Sequence, residues 1–250
     1  MGPVRLAAAA AVLLLARPAA GAGDSRAPSH AAAGEVTLEG ERVAVRWTDG
    51  DSFRILDGRW RGRNTRLEGY NTLEAFGPVH RWGGWTRDGL YAIAAASAGL
   101  AAREAWACRT GGRPDRYGRL LVRCPGAAEA LVRAGHAMVY AVDAAADPAL
   151  LDAQRDAQRR GAGMWASGVP AEIVTSVHSA DEPDLGPGGA YDRLADTRTG
   201  LTRTLRHDRV YGTCQEVCHG RGEDRSCMVY VPFARRYRDR PACLRAGLAP

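Results

Sequence analysis

Three short stretches of the chain carry residue types able to do chemistry. Thr48-Asp49-Gly50-Asp51-Ser52 sets two acids either side of a glycine in a turn. Carboxylate and backbone oxygens placed that way can converge on a hard cation. Arg66-Leu67-Glu68-Gly69-Tyr70-Asn71-Thr72-Leu73-Glu74 runs from a strand carrying Arg66 into a loop with oxygen donors and a carboxylate. Arg113-Pro114-Asp115-Arg116-Tyr117-Gly118-Arg119 is a loop before a strand, with Arg119 just past a glycine. A guanidinium binds two oxygens of an anion at once and stays charged. A carboxylate beside a cation can take a proton from water. Taken singly, each stretch also reads as a plain turn or a solvated loop; their order and spacing together are harder to obtain by chance.

The elements that must position these residues follow from hydrophobic periodicity. Val43, Val45 and Trp47 alternate with polar residues, so a strand starts at Glu41. Phe53 and Ile55 continue in a second strand, and a third is expected from about Arg59 to Tyr70. Thr86 is placed to cap a helix with apolar Leu90, Ile93, Ala94 and Leu100. Trp106–Arg109 and Leu120–Cys124 read as strands, and Ala127–Ala134 and Pro148–Arg160 as helices. The order is β-β-β-α-β-β-α-α.

In these motifs the chain resembles the staphylococcal nuclease (thermonuclease) family. The residues that carry the resemblance are Asp49-Gly50-Asp51-Ser52, Arg66 with Asn71-Thr72-Leu73-Glu74, Asp115-Arg116-Tyr117-Gly118-Arg119, and Ala130-Leu131-Val132-Arg133-Ala134-Gly135, with Trp165 as the family's terminal tryptophan. It covers about residues 41–167. The resemblance implies an α+β fold: a five-stranded OB-type barrel with three helices. It also implies calcium-dependent hydrolysis of phosphodiester bonds in DNA or RNA, with 3′-phosphate products. By the same resemblance Asp51 is a metal ligand, Asp49 supports it, Asn71 stands where the family has a second carboxylate ligand, and Thr72 offers its carbonyl. Glu74 matches the residue that activates water, and Arg66 and Arg119 match the two that hold the phosphate. Arg116, Tyr117 and Tyr140 are expected at the substrate pocket, with the core as the other reading of either tyrosine. Asn71 removes one negative charge from the family's metal site, and Leu73 replaces a proline. A binding module without catalysis is the alternative reading.

Other residues carry two readings each. His80, Arg81, Trp82 and Trp85 lie between Glu74 and the helix, where they can clamp bases or pack on the barrel. Arg59, Arg61 and Arg63 alternate and so should share a strand face, as a nucleic-acid track or as solvated charge. His136 reads as structural.

Composition bounds the rest. The net charge is +6, from 34 basic and 28 acidic residues, and every basic residue is arginine. Ordinary charged and apolar fractions exclude collagen-like, fully disordered and multi-span membrane proteins. Residues 1–22 read as a signal peptide: Leu6–Ala16 is apolar but too short to span a bilayer, and Ala20-Gly21-Ala22 suits cleavage. The expectation is a secreted or periplasmic protein, with no membrane contact after cleavage and a monomeric state. Residues 23–40 read as a flexible leader, 168–190 as an acidic linker, and 191–250 as an Arg- and Cys-rich segment. The six cysteines are Cys108, Cys124, Cys214, Cys218, Cys227 and Cys243. An even number behind a signal peptide points to disulfides; Cys214, Cys218 and His219, followed by Cys227, leave a metal site as the other possibility. Cys108 and Cys124 flank the Arg119 loop and are expected to pair across it. The C-terminal segment is too small to rest on a core alone, so its four cysteines are expected to staple it.

Overall fold

The structure, a computed structural model, describes Gly2, residues 30–183, residue 185 and residues 188–247. Apart from Gly2, the expected signal peptide lies outside the described residues.

In chain order the elements are β1 (Ala32–Leu38), β2 (Glu41–Trp47), β3 (Phe53–Ile55), β4 (Thr65–Leu67), β5 (Gly69–Thr72) and β6 (His80–Trp82). Then come α1 (Arg87–Ala101), β7 (Trp106–Cys108), β8 (Leu120–Val122), α2 (Pro125–Arg133), β9 (Ala137–Tyr140) and α3 (Pro148–Arg159). The C-terminal part adds β10 (Glu172–Val177), β11 (Tyr191–Asp196), β12 (Thr202–Arg206), β13 (Glu216–His219) and β14 (Ser226–Val229).

Strands 3, 2, 1 and 7 form one four-stranded sheet in that order. The pairs β4–β8 and β5–β9 stand beside it, and isolated bridges Arg54–Asn64 and Arg109–Arg123 touch between them. Among the described residues the fold is therefore α+β with three helices, but its ladders do not form one closed five-stranded barrel. The third expected strand is broken for a local reason. Gly58, Gly62 and Gly69 all take positive φ, at 67°, 83° and 94°, a region glycine enters at little cost. The chain thus turns between Gly58 and Gly62, and Arg59 and Arg61 sit in the turns with Arg63 just after them, instead of the three sharing a strand face.

Parts of two expected segments are strands, while residues 23–29 of the leader lie outside the described residues. Residues 32–38 of the expected leader are β1, joined to β2 by Glu39-Gly40 at φ 51° and 83°. Positive φ at both central residues is what a two-residue hairpin requires. Val36 and Leu38 then face the core with Val43 and Val45. Residues 172–177 of the expected linker are β10, paired with β11 and carrying buried Ile173, Val174 and Val177.

The helix starts follow from their caps. Thr86 Oγ1 accepts from the Gly89 amide at 3.1 Å, and the Asp147 carboxylate accepts from the Ala149 amide at 2.8 Å. No helix among the described residues is long and apolar enough to cross a membrane.

All six cysteines are paired: Cys108–Cys124, Cys214–Cys243 and Cys218–Cys227. The expected pairing across the Arg119 loop is present, and the C-terminal segment carries two staples. The metal alternative for Cys214 and Cys218 is overturned by their bonds and by His219, whose Nε2 lies 2.8 Å from Asp192 Oδ2. The segment also shares its core with the rest of the chain. Phe76 and Val79 pack with Val217, Met228 and Val231, and β14 pairs with β6.

Asp192 organises this region. It is 1 % exposed and meets His219 Nε2 at 2.8 Å, the Tyr211 hydroxyl at 2.9 Å and His207 Nε2 at 3.2 Å. Burial opposes its ionisation, but these hydrogen bonds outweigh it and hold the carboxyl below its usual range. Its contribution to stability is therefore present above about pH 4 and is lost as pH falls through the lowered folded value. Asp192→Asn should cost about 3 kcal/mol, because three donors lose a buried charge partner. An unchanged denaturation midpoint would contradict this.

Candidate active site

Strand pairing collects the candidate residues at one place. Parallel pairing of β4 with β8 sets Arg66 opposite Leu121, two residues beyond Arg119. Antiparallel pairing of β5 with β9 sets Gly69 opposite Tyr140 and Asn71 opposite Met138. The Asp49–Ser52 turn reaches the same place. The Leu67 amide donates to the Asp51 carbonyl at 2.8 Å, and the Tyr70 hydroxyl donates to the Gly50 carbonyl at 2.8 Å. Gly50 is required by space: a Cβ there would lie 2.6 Å from Thr72 Cγ2 and 3.0 Å from Ser97 Cβ.

At the centre is Asp51, 2 % exposed. Its Oδ1 accepts from Arg66 Nη1 at 2.6 Å, and its Oδ2 accepts from the Thr72 amide at 2.7 Å and the Thr72 hydroxyl at 3.0 Å. Arg66 Nη2 donates to Asn71 Oδ1 at 2.5 Å, and Asn71 Nδ2 donates to the Thr72 carbonyl at 2.7 Å. Asp49 accepts from the Ser52 hydroxyl at 2.5 Å and from the Asp51 amide at 3.2 Å.

The electrostatics are those of crowded acids around one guanidinium. Burial, then the charge of Asp51, pushes Asp49 up to about 8, against the Ser52 hydrogen bond and Arg66. Burial also raises Glu74, with Asp51 adding to it, while Arg236, Arg66 and Arg119 oppose. Burial disfavours the Arg66 cation, but Asp51 and Asp49 outweigh it, so Arg66 is held charged.

Glu74 is anchored through its backbone. Its amide donates to His80 Nε2 at 3.2 Å. His80 is buried, and burial pulls it down to about 4, so it stays neutral with its proton on Nδ1. Arg119 is held by Asp115: Nε lies 2.8 Å and Nη2 2.7 Å from Asp115 Oδ2. The Asp115 Oδ1 also accepts the amides of Tyr117 and Arg119, both at 2.9 Å, which fixes the loop.

The expected substrate-pocket residues form a chain of guanidiniums and rings. Arg116 lies 4.6 Å from the Tyr117 ring centre and donates to the Tyr191 hydroxyl at 2.6 Å. Arg119 lies 5.5 Å from the Tyr117 ring, and Arg66 5.9 Å from the Tyr140 ring. Tyr117 is 62 % exposed. Other candidates are packed away. Trp82 is in the core, and Trp85 Nε1 donates to the Met164 carbonyl at 2.8 Å, so neither forms a base clamp. Arg81 is engaged by Glu216 through both Nε and Nη2. His136 Nδ1 lies 3.2 Å from the Ser97 hydroxyl.

The C-terminal segment supplies residues that the motifs do not include. Arg193 Nη1 donates to the Tyr140 hydroxyl at 3.4 Å. The charge of Arg236 opposes the rise that burial imposes on Glu74. Desolvation, then the Glu74 and Asp49 carboxylates, pushes the Tyr237 phenol up to about 12. A signal for them exists in the sequence: Phe233-Ala234-Arg235-Arg236-Tyr237-Arg238 interleaves arginine with aromatics.

The donor set fits a hard cation. Asp51, Asp49, Asn71 and the Thr72 carbonyl are oxygen donors, and two carboxyls, Asp49 and Asp51, stand in one turn against the single guanidinium of Arg66. Asn71 Oδ1 and the Thr72 carbonyl are already engaged by Arg66 and the Asn71 amide, so a cation must compete with these bonds.

Comparison with curated proteins returned no match. Residues 78–167 match the family model described as staphylococcal nuclease homologue. The matched stretch holds β6, α1, the Arg116–Arg119 loop and Tyr140. Asp49 to Glu74 precede it and join it through the β4–β8 and β5–β9 pairings. Over residues 78–167 the chain is therefore similar to staphylococcal nuclease homologues.

Proposed function

We propose that the protein is an exported, metal-dependent endonuclease that hydrolyses phosphodiester bonds of DNA or RNA. The observation that carries this reading is the Asp51–Arg66–Asn71–Thr72 network on β4 and β5, which run into the stretch carrying Glu74 and pair with the strand that follows Arg119. Three disulfides support action in an oxidising compartment.

Asp51, Asp49, Asn71 and the Thr72 carbonyl would hold a divalent cation, calcium in the first instance. When bound, it supplies positive charge to the oxygens on which charge gathers during displacement at phosphorus. The chain's own groups do the rest. Arg66 and Arg119 stabilise the non-bridging oxygens, and because Asp51, Asn71 and Asp115 fix both guanidiniums beforehand, little reorganisation accompanies reaction. Glu74 takes the proton from the attacking water. His80 holds the Glu74 backbone without adding charge.

Incubation of the full chain with plasmid DNA and with RNA, with calcium and with a chelator, tests the reading. Cleavage that needs the cation is expected. Retained binding with no cleavage under any divalent cation would favour the binding-module reading.

Asn71 tunes the cation. Asn71→Asp adds a negative charge to the donor set, and half-saturation of cleavage should move to about tenfold lower calcium. An unchanged half-saturation would contradict that role for position 71.

A further inference from the structure

We propose that the C-terminal segment completes the substrate cleft. Arg236 contributes a third guanidinium for a phosphate beside the cleaved one, and Phe233 with Tyr237 forms a stacking platform for bases of a single-stranded nucleic acid. The proposal rests on the nuclease reading, and it concerns residues outside the matched domain.

The segment is fastened next to Glu74. β14 pairs with β6, and Cys214–Cys243 ties the stretch that carries Phe233 to Tyr237 back to the body. Arg240 Nη2 donates to the Phe76 and Leu244 carbonyls. Leu244 approaches so closely that a Cβ on Gly77 would lie 2.9 Å from its backbone. Phe76 stands two residues after Glu74, so anchorage on Phe76 sets the segment relative to the candidate base.

Arg236 is oriented by rings and one carbonyl. Its guanidinium carbon lies 5.0 Å from the Phe76 ring centre and 5.8 Å from that of Phe233, and its Nε donates to the Val231 carbonyl at 3.1 Å. Among the described residues it forms no ion pair. A guanidinium held on aromatic faces beside a carboxylate, without being consumed by one, keeps its charge for an incoming anion.

The two exposed rings supply the base contacts. Phe233 is 72 % exposed and Tyr237 57 % exposed. Their ring centres are 6.4 Å apart at 76°, and Tyr237 meets Phe76 at 6.2 Å and 71°. Edge-to-face packing braces the rings while leaving faces open. Open aromatic faces interleaved with arginines bind unpaired bases, whose π-faces are hidden inside a duplex. Arg116 beside the exposed Tyr117 continues the same surface chemistry.

The test uses full-length protein: wild type, Arg236→Ala, Arg236→Lys and the double variant Phe233→Ala/Tyr237→Ala. Binding is read in chelator, without turnover, by anisotropy of labelled oligo-dT, oligo-U and a DNA duplex of equal length. Thermal melts check folding. The double variant should bind single strands about tenfold more weakly and the duplex nearly as wild type does. Arg236→Ala should weaken binding and flatten the salt dependence by about 0.7 in log–log slope, and Arg236→Lys should restore that slope. Loss with oligo-dT alone, or oligo-U alone, identifies the strand the platform takes. Wild-type affinity for single strands in all three variants, or no single-strand binding by the wild type, would overturn the proposal. The outcomes stay separable: a wild type that binds but does not cleave defeats the nuclease reading alone, and variants that bind and cleave normally defeat the platform alone.

Discussion

Arg66→Ala should lower the rate of phosphodiester cleavage about 10³-fold, the scale of losing a pre-positioned donor to a developing oxyanion. It should also cost about 3 kcal/mol of stability, because Asp51 is left as a buried carboxylate without its cation. The two effects can be separated. Arg66→Lys keeps the charge but not the fork that reaches Asp51 and Asn71 together. It should recover most of the stability and little of the rate. Arg119→Ala gives the opposite contrast. Its pair with Asp115 is partly exposed, and such pairs contribute little to folding, so the rate should fall 10²- to 10³-fold at about unchanged stability. Single-turnover cleavage and thermal melts read both quantities. An Arg66→Ala rate within tenfold of wild type would remove Arg66 from the mechanism.

Glu74→Gln should lower the rate by about 10²- to 10⁴-fold, the range for a general base. The amide keeps the shape of the side chain, and the bond from the residue 74 amide to His80 does not involve it. Oligonucleotide binding should therefore stay near wild type while the cleavage rate collapses. Loss of both together would assign Glu74 to the structure of the loop rather than to proton transfer.

Much of this site was legible because it is local. Asp49-Gly50-Asp51, Arg66 to Glu74 and Asp115 to Arg119 each lie in one turn or loop, and the strands between them follow from alternation. The α1 start was legible from Thr86, whose side chain closes the first turn. Failures came where composition and tertiary pairing disagree. Ala32 to Gly34 carry little β propensity, yet the Glu39-Gly40 turn and the buried Val36 and Leu38 commit the stretch to β1. Pro and Gly around residues 168–189 suggest a linker and conceal the Ile173, Val174 and Val177 that make β10. The strand expected over residues 59–70 failed because glycines at positive φ turn the chain where the arginine alternation alone suggested extension. Arg236 and Tyr237 meet Phe76, two residues past Glu74, from more than 150 positions away in sequence, through β14 and a disulfide. No local pattern encodes that distance; composition marks the segment only as rich in arginine and cysteine.

The cation is where the account meets experiment most directly. The initial rate of oligonucleotide cleavage by the wild-type chain should be measured against calcium concentration at constant ionic strength, with a chelator as the zero point. A saturable rise from no detectable cleavage in chelator is expected, and no such rise when Asp51 is replaced by Ala. Undiminished cleavage in chelator, or a normal calcium response from Asp51→Ala, would contradict it.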